Sequence, residues 1–192
     1  SSSVYGDSKT FPLNEKNKLY PRNIYAVSKV SNEKLAKIYE KKFKLNLIGL
    51  RFFTVYGEWG RPDMLLFKIL KSYKKNKTFY LNNKGDHFRD FTYIKDVISI
   101  LYNLIFIKKF KHNIFNICSS NPINIKTIID NFCKEYKFKK IKYVKKNKLE
   151  VYKTYGSNRL IKQVTKFNEF TNFRLGLKKT ISWYLKNQTW KY

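Results

Sequence analysis

The sequence predicts a layered α/β fold. Two observations carry that reading. Short apolar runs of strand length, such as Asn46–Phe53 and Asn113–Cys118, alternate with longer stretches of helical spacing along the chain. Each of these two runs follows a helical stretch, the profile of a strand buried in a parallel sheet. No internal repeat or low-complexity linker interrupts the alternation.

Taken in order, Ser1-Ser2-Ser3-Val4-Tyr5-Gly6 reads as the tail of a buried strand entering a loop, with Gly6 supplying the turn. A loop holding Pro12 and Glu15 ends at Pro21. Pro21-Arg22-Asn23 opens a helix that runs to about Phe43, with Ile24, Val27, Leu35, Ile38 and Tyr39 among its apolar positions. The strand Asn46–Phe53 leads into Thr54–Met64, a loop at the carboxyl end of a strand, where open α/β sheets bind ligands. A helix from about Met64 to Lys74, a strand near Phe79–Leu81 and a turn at Asn82–Gly85 follow. Arg89–Ile94 leads into a helix of about Lys95–Phe106. After the strand Asn113–Cys118, Asn121-Pro122 is expected to cap a helix through about Tyr136. A basic strand near Ile141–Val144, a loop at Leu149–Ser157, and helices near Asn158–Val164 and Leu177–Lys186 complete the chain.

The 192 residues suffice for one medium domain or a pair of small lobes, and 43% hydrophobic with 18% aromatic residues provides for a packed core. The net charge of +28 would ordinarily suggest a polyanionic partner. Lys, however, is scattered along the chain and abundant together with Asn, Ile, Phe and Tyr. That points to a coding bias toward AT-rich codons, with lysines on every solvated face. No nucleic-acid or membrane partner is expected. Cys118 and Cys133 show no metal-ligand spacing and fit a reducing compartment; no metal site is expected. His87 and His112 are isolated. No apolar run approaches the ~18 residues needed to cross a bilayer, and no signal peptide is visible.

One stretch carries chemistry. Tyr25 and Lys29 lie four residues apart in the first helix, which places phenol and ammonium one turn apart on one face. An ammonium beside a phenol favours the ionised phenol, which can then accept a proton from a hydroxyl. Alone, the spacing is equally that of an ordinary helix face.

The neighbouring motifs sharpen the reading. Ser-Ser-Ser-Val-Tyr-Gly at 1–6, Tyr25-x-x-x-Lys29, Leu50-Arg51-Phe52-Phe53-Thr54-Val55-Tyr56-Gly57, Gly60-Arg61-Pro62-Asp63-Met64 and Arg89-Asp90-Phe91-Thr92-Tyr93-Ile94 occur in that order. Together they resemble the extended short-chain dehydrogenase/reductases, the NAD-dependent nucleotide-sugar epimerases and dehydratases, with the closest likeness to UDP-glucuronate 4-epimerases. The likeness continues through Phe115-Asn116-Ile117 to Ile181-Ser182-Trp183-Tyr184. It implies the C-terminal part of a Rossmann-type doubly wound parallel sheet plus a small α/β substrate-binding lobe. Residues 1–56 and 89–117 are expected to form the first, and 57–88 and 118–192 the second. The Gly-rich turn that cradles the NAD pyrophosphate in such enzymes has no counterpart here. The first half of the Rossmann sheet, on the order of a hundred residues, is expected to lie outside this chain, leaving an apolar sheet edge.

The resemblance also implies roles. Tyr25 would remove the proton from the sugar 4-hydroxyl as NAD takes hydride from C4. Lys29 would contact the nicotinamide ribose, and Ser1 would share the proton at O4. Phe52 would lie beside the cofactor. Ser2, Thr54 and Arg61 would surround the substrate carboxylate, and Arg89 would contact the UDP diphosphate. For Thr54 the alternative is a loop-capping hydroxyl, for Arg61 a solvent-facing arginine, and for Arg89 an ion pair with Asp90 or Asp86. Sugar dehydratases carry Asp-Glu where Ser2-Ser3 stand, and UDP-glucuronate decarboxylases typically carry Glu at the Ser3 position. Elimination and decarboxylation are therefore disfavoured against epimerisation. The resemblance implies a cytoplasmic enzyme with NAD and a UDP-sugar as its partners. It implies a homodimer through the Tyr25–Lys29 helix and a second helix outside this chain, so this chain by itself is not expected to dimerise.

Overall fold

A computed structural model describes residues 1–145 and 151–187. Among the described residues six α-helices and seven strands alternate much as the apolar pattern predicts. Helix α1 (Ile24–Phe43) is started by Asn23, whose side-chain oxygen accepts the Ala26 N–H at 2.8 Å. Lys44 ends it in a left-handed conformation. Strand β1 (Gly49–Phe52) follows, then β2 (Thr54–Tyr56), α2 (Leu65–Lys74), β3 (Phe79–Asn82), β4 (Phe88–Tyr93) and α3 (Ile94–Ile105). The remaining elements are β5 (Ile114–Ile117), β6 (Pro122–Asn124), α4 (Ile125–Glu135), β7 (Ile141–Val144), α5 (Arg159–Thr165) and α6 (Phe173–Lys186).

Among the described residues the strands form three small sheets. β1 pairs parallel with β5, Gly49 opposite Ile114 and Phe52 opposite Ile117. β4 lies between β2, parallel to it, and β6, antiparallel to it. β3 pairs parallel with β7. Three apolar clusters fill the spaces between layers. One packs α2, α4 and α6 around Tyr56, Phe91 and Tyr93. A second joins α3 and α5 to β5 through Val97, Ile100, Phe115 and Ile161. The third is small: Val4, Tyr5, Leu13, Phe53 and Cys118, with Val30 of α1 against it. Where β2 ends, Gly57 has φ 139° and lies so close to Ile94 that an added Cβ would come within 2.9 Å of the Ile94 Cβ. Only glycine fits that approach.

Several local expectations are corrected. Ser2–Tyr5 is a 3₁₀ turn, not the tail of a strand. The Ser1 hydroxyl accepts the Ser3 N–H, a local side-chain bond that competes with extended pairing. Asn121 does not cap α4. Pro122 enters β6 opposite Asp90, and Asn124 caps the helix by accepting the Thr127 N–H. Helix α6 starts at Phe173 rather than Leu177, because Asn172 accepts the Arg174 N–H at 2.9 Å. Of the predicted loop 149–157, residues 149 and 150 lie outside the described residues. The segment 152–157 knits two regions together. Leu13 donates to Tyr155 and accepts from Ser157 on one side; Phe88 donates to Tyr152 and accepts from Thr154 on the other.

The large apolar residues of helix α1 do not face a core. Ile24, Leu35, Ile38, Tyr39 and Phe43 are all more than half exposed. The face turned inward is Ala26, Lys29, Val30, Glu33 and Ala36, small or polar residues at helical spacing.

Candidate active site

Helix α1 and the Ser1–Tyr5 turn meet at the amino-terminal end of the helix. The turn packs against α1, with the Val4 and Tyr5 side chains buried beside Val30. Tyr25 stands in the first turn of α1 and is 52% exposed. Its hydroxyl has no hydrogen-bond partner among the described residues, so the phenol is available to a ligand. The Lys29 ammonium lies 5.3 Å from the centre of the Tyr25 ring. The helical spacing read from the sequence therefore places the two groups together, on an open face. Ser1 caps the turn, its hydroxyl 2.9 Å from the Ser3 hydroxyl, and Ser2 is half-buried beside it.

A cavity of about 270 Å³ opens between β2, α2, β3 and β4. Thr54 and Arg89 line it, so the structure brings these two predicted residues together. Lys68, Asn82 and His87 are polar neighbours in the same wall, and Phe67, Phe79 and Phe91 are among its apolar lining. The lining thus mixes aromatic and aliphatic groups with two cationic side chains, Lys68 and Arg89. The Arg89 guanidinium donates to the carbonyls of Phe88 (2.8 Å) and Tyr152 (3.4 Å), which hold it from behind. Asp90 turns away to bond Ser119 and Gly156. The cavity and the Tyr25 side adjoin through one strand. Phe53 packs against Val4 and Tyr5, and Thr54, the next residue, faces the cavity.

Two predicted residues are placed otherwise. Arg61 is exposed on the loop beyond β2 and grips Asp63 through two bonds, 3.0 and 2.8 Å, rather than lining the cavity. The carboxylate two residues along satisfies its planar fork. The Arg61 contact holds the Asp63 carboxyl below its ordinary range. Phe52 does not join the Tyr25 face. Alternation along the strand sends Arg51 and Phe53 toward α1, and Leu50 and Phe52 into the α3 cluster. The aromatic beside the serine turn is Phe53.

Sequence reasoning missed the polar network behind the site. Arg51, 3% exposed, donates to both carboxylate oxygens of Glu33 at 2.9 and 2.8 Å. It also reaches the Tyr5 hydroxyl at 2.9 Å and the Glu15 carbonyl at 3.2 Å. Tyr5 in turn donates to the Asn116 side chain at 2.6 Å, and the Asn116 N–H donates to Glu15. Burial works against the Arg51 charge, but the Glu33 and Tyr5 contacts more than reverse this and raise its pKa above its ordinary value. Burial chiefly pushes the Tyr5 phenol up to about 12. An arginine inside the apolar run Ile48–Phe53 was the available signal, since a buried charge requires a partner.

The sequence matches the NAD dependent epimerase/dehydratase family over residues 1–118. The chain belongs to that family. Among its relatives, an uncharacterised protein of Methanocaldococcus jannaschii is 36% identical over 99% of this chain and 59% of its own length. UDP-glucuronate 4-epimerase 4 of Arabidopsis thaliana is 33% identical over 96% of this chain and 46% of its own length. The UDP-glucuronic acid 4-epimerase of Bacillus cereus, solved with UDP-glucuronic acid and NAD, superposes with a TM-score of 0.88 at 28% identity, over 97% of this chain and 60% of that one. The chain thus spans about half to three fifths of the length of these relatives. The likeness confirms the Rossmann-type α/β fold of the family. As a fit for NAD, the chain offers an open phenol–ammonium pair but no Gly-x-x-Gly-x-x-Gly turn for the pyrophosphate. Among the described residues no cluster of metal-ligating side chains is found, and no helix is long and apolar enough to cross a membrane.

Proposed function

We propose that this chain carries the catalytic and substrate-binding part of an NAD-dependent UDP-glucuronate 4-epimerase. The observation behind this reading is the Tyr25–Lys29 pair, its phenol exposed, on the helix against which the Ser1–Tyr5 turn packs. NAD, when bound, supplies a hydride acceptor and then a hydride donor at C4. Tyr25 takes the proton from the sugar 4-hydroxyl as its C4–H bond breaks, and returns it when C4 is reduced from the opposite face. Lys29 favours the ionised phenol and bonds the nicotinamide ribose. Ser1 shares the proton at O4. Arg89 and Thr54 hold the diphosphate and sugar at the cavity mouth, and Ser2 donates to the uronate carboxylate. Arg61 reaches that carboxylate by exchanging Asp63 for it. Phe52 would be among the residues holding the cofactor.

The division into residues 1–56 with 89–117 and 57–88 with 118–192 belongs to the same proposal. So do a cytoplasmic location, a role in capsule or surface polysaccharide synthesis, and a homodimer through α1, whose outward face carries Leu35, Ile38 and Phe43. The Arg61–Asp63 pair favours a second reading, epimerisation of a neutral UDP-hexose, because that guanidinium already has a carboxylate. A substrate panel decides between them. Turnover of UDP-glucuronate to UDP-galacturonate by the chain joined to a Gly-rich NAD-binding half supports the first; exclusive turnover of UDP-glucose supports the second. UDP-pentose as the main product rejects both.

A further inference from the structure

Helix α1 carries the two groups on which the proposed chemistry turns, yet little apolar packing holds it. Ala26 is its only fully buried residue, and its large apolar side chains face outward. A helix with so small an apolar seam is free to roll or slide unless something else fixes it. The fixing element is polar. Glu33 lies on the inward face of α1, one turn beyond Lys29 and about two turns beyond the exposed Tyr25. Arg51 of β1 grips both its carboxylate oxygens in parallel. A bidentate pair of this kind defines direction as well as distance. Through a third nitrogen the same guanidinium bonds the Tyr5 hydroxyl, at the end of the turn that begins with Ser1. The guanidinium carbon also stands 4.9 Å from the centre of the Tyr5 ring. Tyr5 is tied onward to Asn116 of β5, and Asn116 to the Leu13 carbonyl. One side chain thus connects the helix bearing Tyr25 and Lys29, the turn bearing Ser1 and Ser2, and the strand leading to Thr54.

We propose that Arg51, through Glu33 and Tyr5, is a positioning residue that sets the register of the Tyr25–Lys29 face against the Ser1–Ser3 hydroxyls. This inference rests on the enzymatic reading above. Arg51 touches neither substrate nor cofactor; it acts through the helix. Buried ion pairs are poor sources of net stability, and replacing both partners with apolar groups is often neutral or better. The ion pair's role here is therefore directional, and geometry and stability can be separated experimentally.

The test measures turnover of UDP-glucuronate by this chain joined to the Gly-rich NAD-binding half of a UDP-glucuronate 4-epimerase. It compares Arg51→Met, Arg51→Lys, Tyr5→Phe, the double variant Glu33→Met/Arg51→Met, and Tyr25→Phe. Arg51→Met leaves the partly buried Glu33 carboxylate without its partner and is expected to lose stability. The double variant removes both charges and is expected to fold with a Tm close to wild type. It is still expected to lose about ten- to a hundredfold in kcat with KM changed less than about threefold, the pattern of misplaced reacting groups with binding intact. Tyr5→Phe loses a smaller factor in the same parameter, and Arg51→Lys does not restore kcat because an ammonium cannot make the parallel grip. In this chain by itself, a fluorotyrosine at position 25 gives one fluorine signal in the wild type and a shifted or split signal in the folded double variant. A folded double variant with wild-type kcat and an unshifted fluorine signal overturns the positioning role. Retained turnover in Tyr25→Phe overturns the enzymatic reading and this inference with it, so the two failures are told apart.

Discussion

Asp90, fully buried in β4 next to Arg89, accepts the Gly156 N–H at 3.1 Å through one carboxylate oxygen. Through the other it takes the N–H and hydroxyl of Ser119, at 3.1 and 2.9 Å. This carboxylate joins the strand carrying Arg89 to the loop after β5 and to the segment 152–157 that backs the Arg89 guanidinium. Burial raises its pKa to about 6, against the pull of these bonds.

Asp90→Ala is accordingly expected to destabilise the fold by roughly 1–3 kcal/mol, since it leaves several buried donors unsatisfied. The pH dependence has a defined sign. Because the folded-state pKa lies above the unfolded value of about 3.9, the native state holds the proton more tightly. The resulting stability is fully present below about pH 4 and is lost as the pH rises through about 6. Urea unfolding of wild type and Asp90→Asn between pH 4 and pH 7 checks this: the wild-type advantage is to shrink with rising pH. An advantage that grows with pH contradicts the burial argument.

Arg89→Met is expected to weaken binding of UDP by about ten- to a hundredfold, the loss of a charge-assisted bond. Arg89→Lys recovers only part of it, because the two carbonyls behind the guanidinium hold a planar group that an ammonium does not reproduce. Titration calorimetry with UDP on this chain measures both. Equal affinity in all three proteins would remove the cavity from the binding site.

Tyr25→Phe is expected to change stability by less than about 0.5 kcal/mol, because the hydroxyl is exposed and bonds no described residue. The same change is to abolish C4 inversion in the chain joined to its NAD-binding half. A thermal melt and a turnover assay on one preparation separate the two effects.

Gly176 lies within α6, where alanine would ordinarily gain up to about 1 kcal/mol of helix propensity. Here its Cβ would collide with the Tyr56 hydroxyl and come within 2.9 Å of the ring carbon that bears it. Gly176→Ala is therefore expected to cost roughly 1–3 kcal/mol by overpacking. Gly176→Ala/Tyr56→Phe is expected to recover only part of that loss in chemical denaturation, because the colliding oxygen is gone while the ring carbon stays.

Cys118 is fully buried, and burial pushes its thiol well above the ordinary value. Cys133 is only partly covered, and that partial burial raises its thiol. A thiol reagent at neutral pH should modify Cys133 in the folded protein and Cys118 only after denaturant is added. Early modification of Cys118 would show that the Phe53 cluster opens readily.

The sequence by itself determined the alternation of strands and helices, because apolar spacing and caps such as Asn23 act within a few residues. It also determined the Tyr25–Lys29 pair, since helical geometry alone brings positions four apart onto one face. The family likeness was equally legible, carried by motifs that keep their order. The tertiary structure alone decided which way α1 faces. Its apolar residues point outward and its inner seam is closed by Glu33 and Arg51, a contact across 18 positions that no local spacing specifies. It also decided that Thr54 and Arg89 share a cavity while Arg61 bonds its own loop, and that Phe53 rather than Phe52 stands beside the serines. Those outcomes depend on strand register and on which groups meet when the layers close, a long-range competition among contacts that the order of residues does not display.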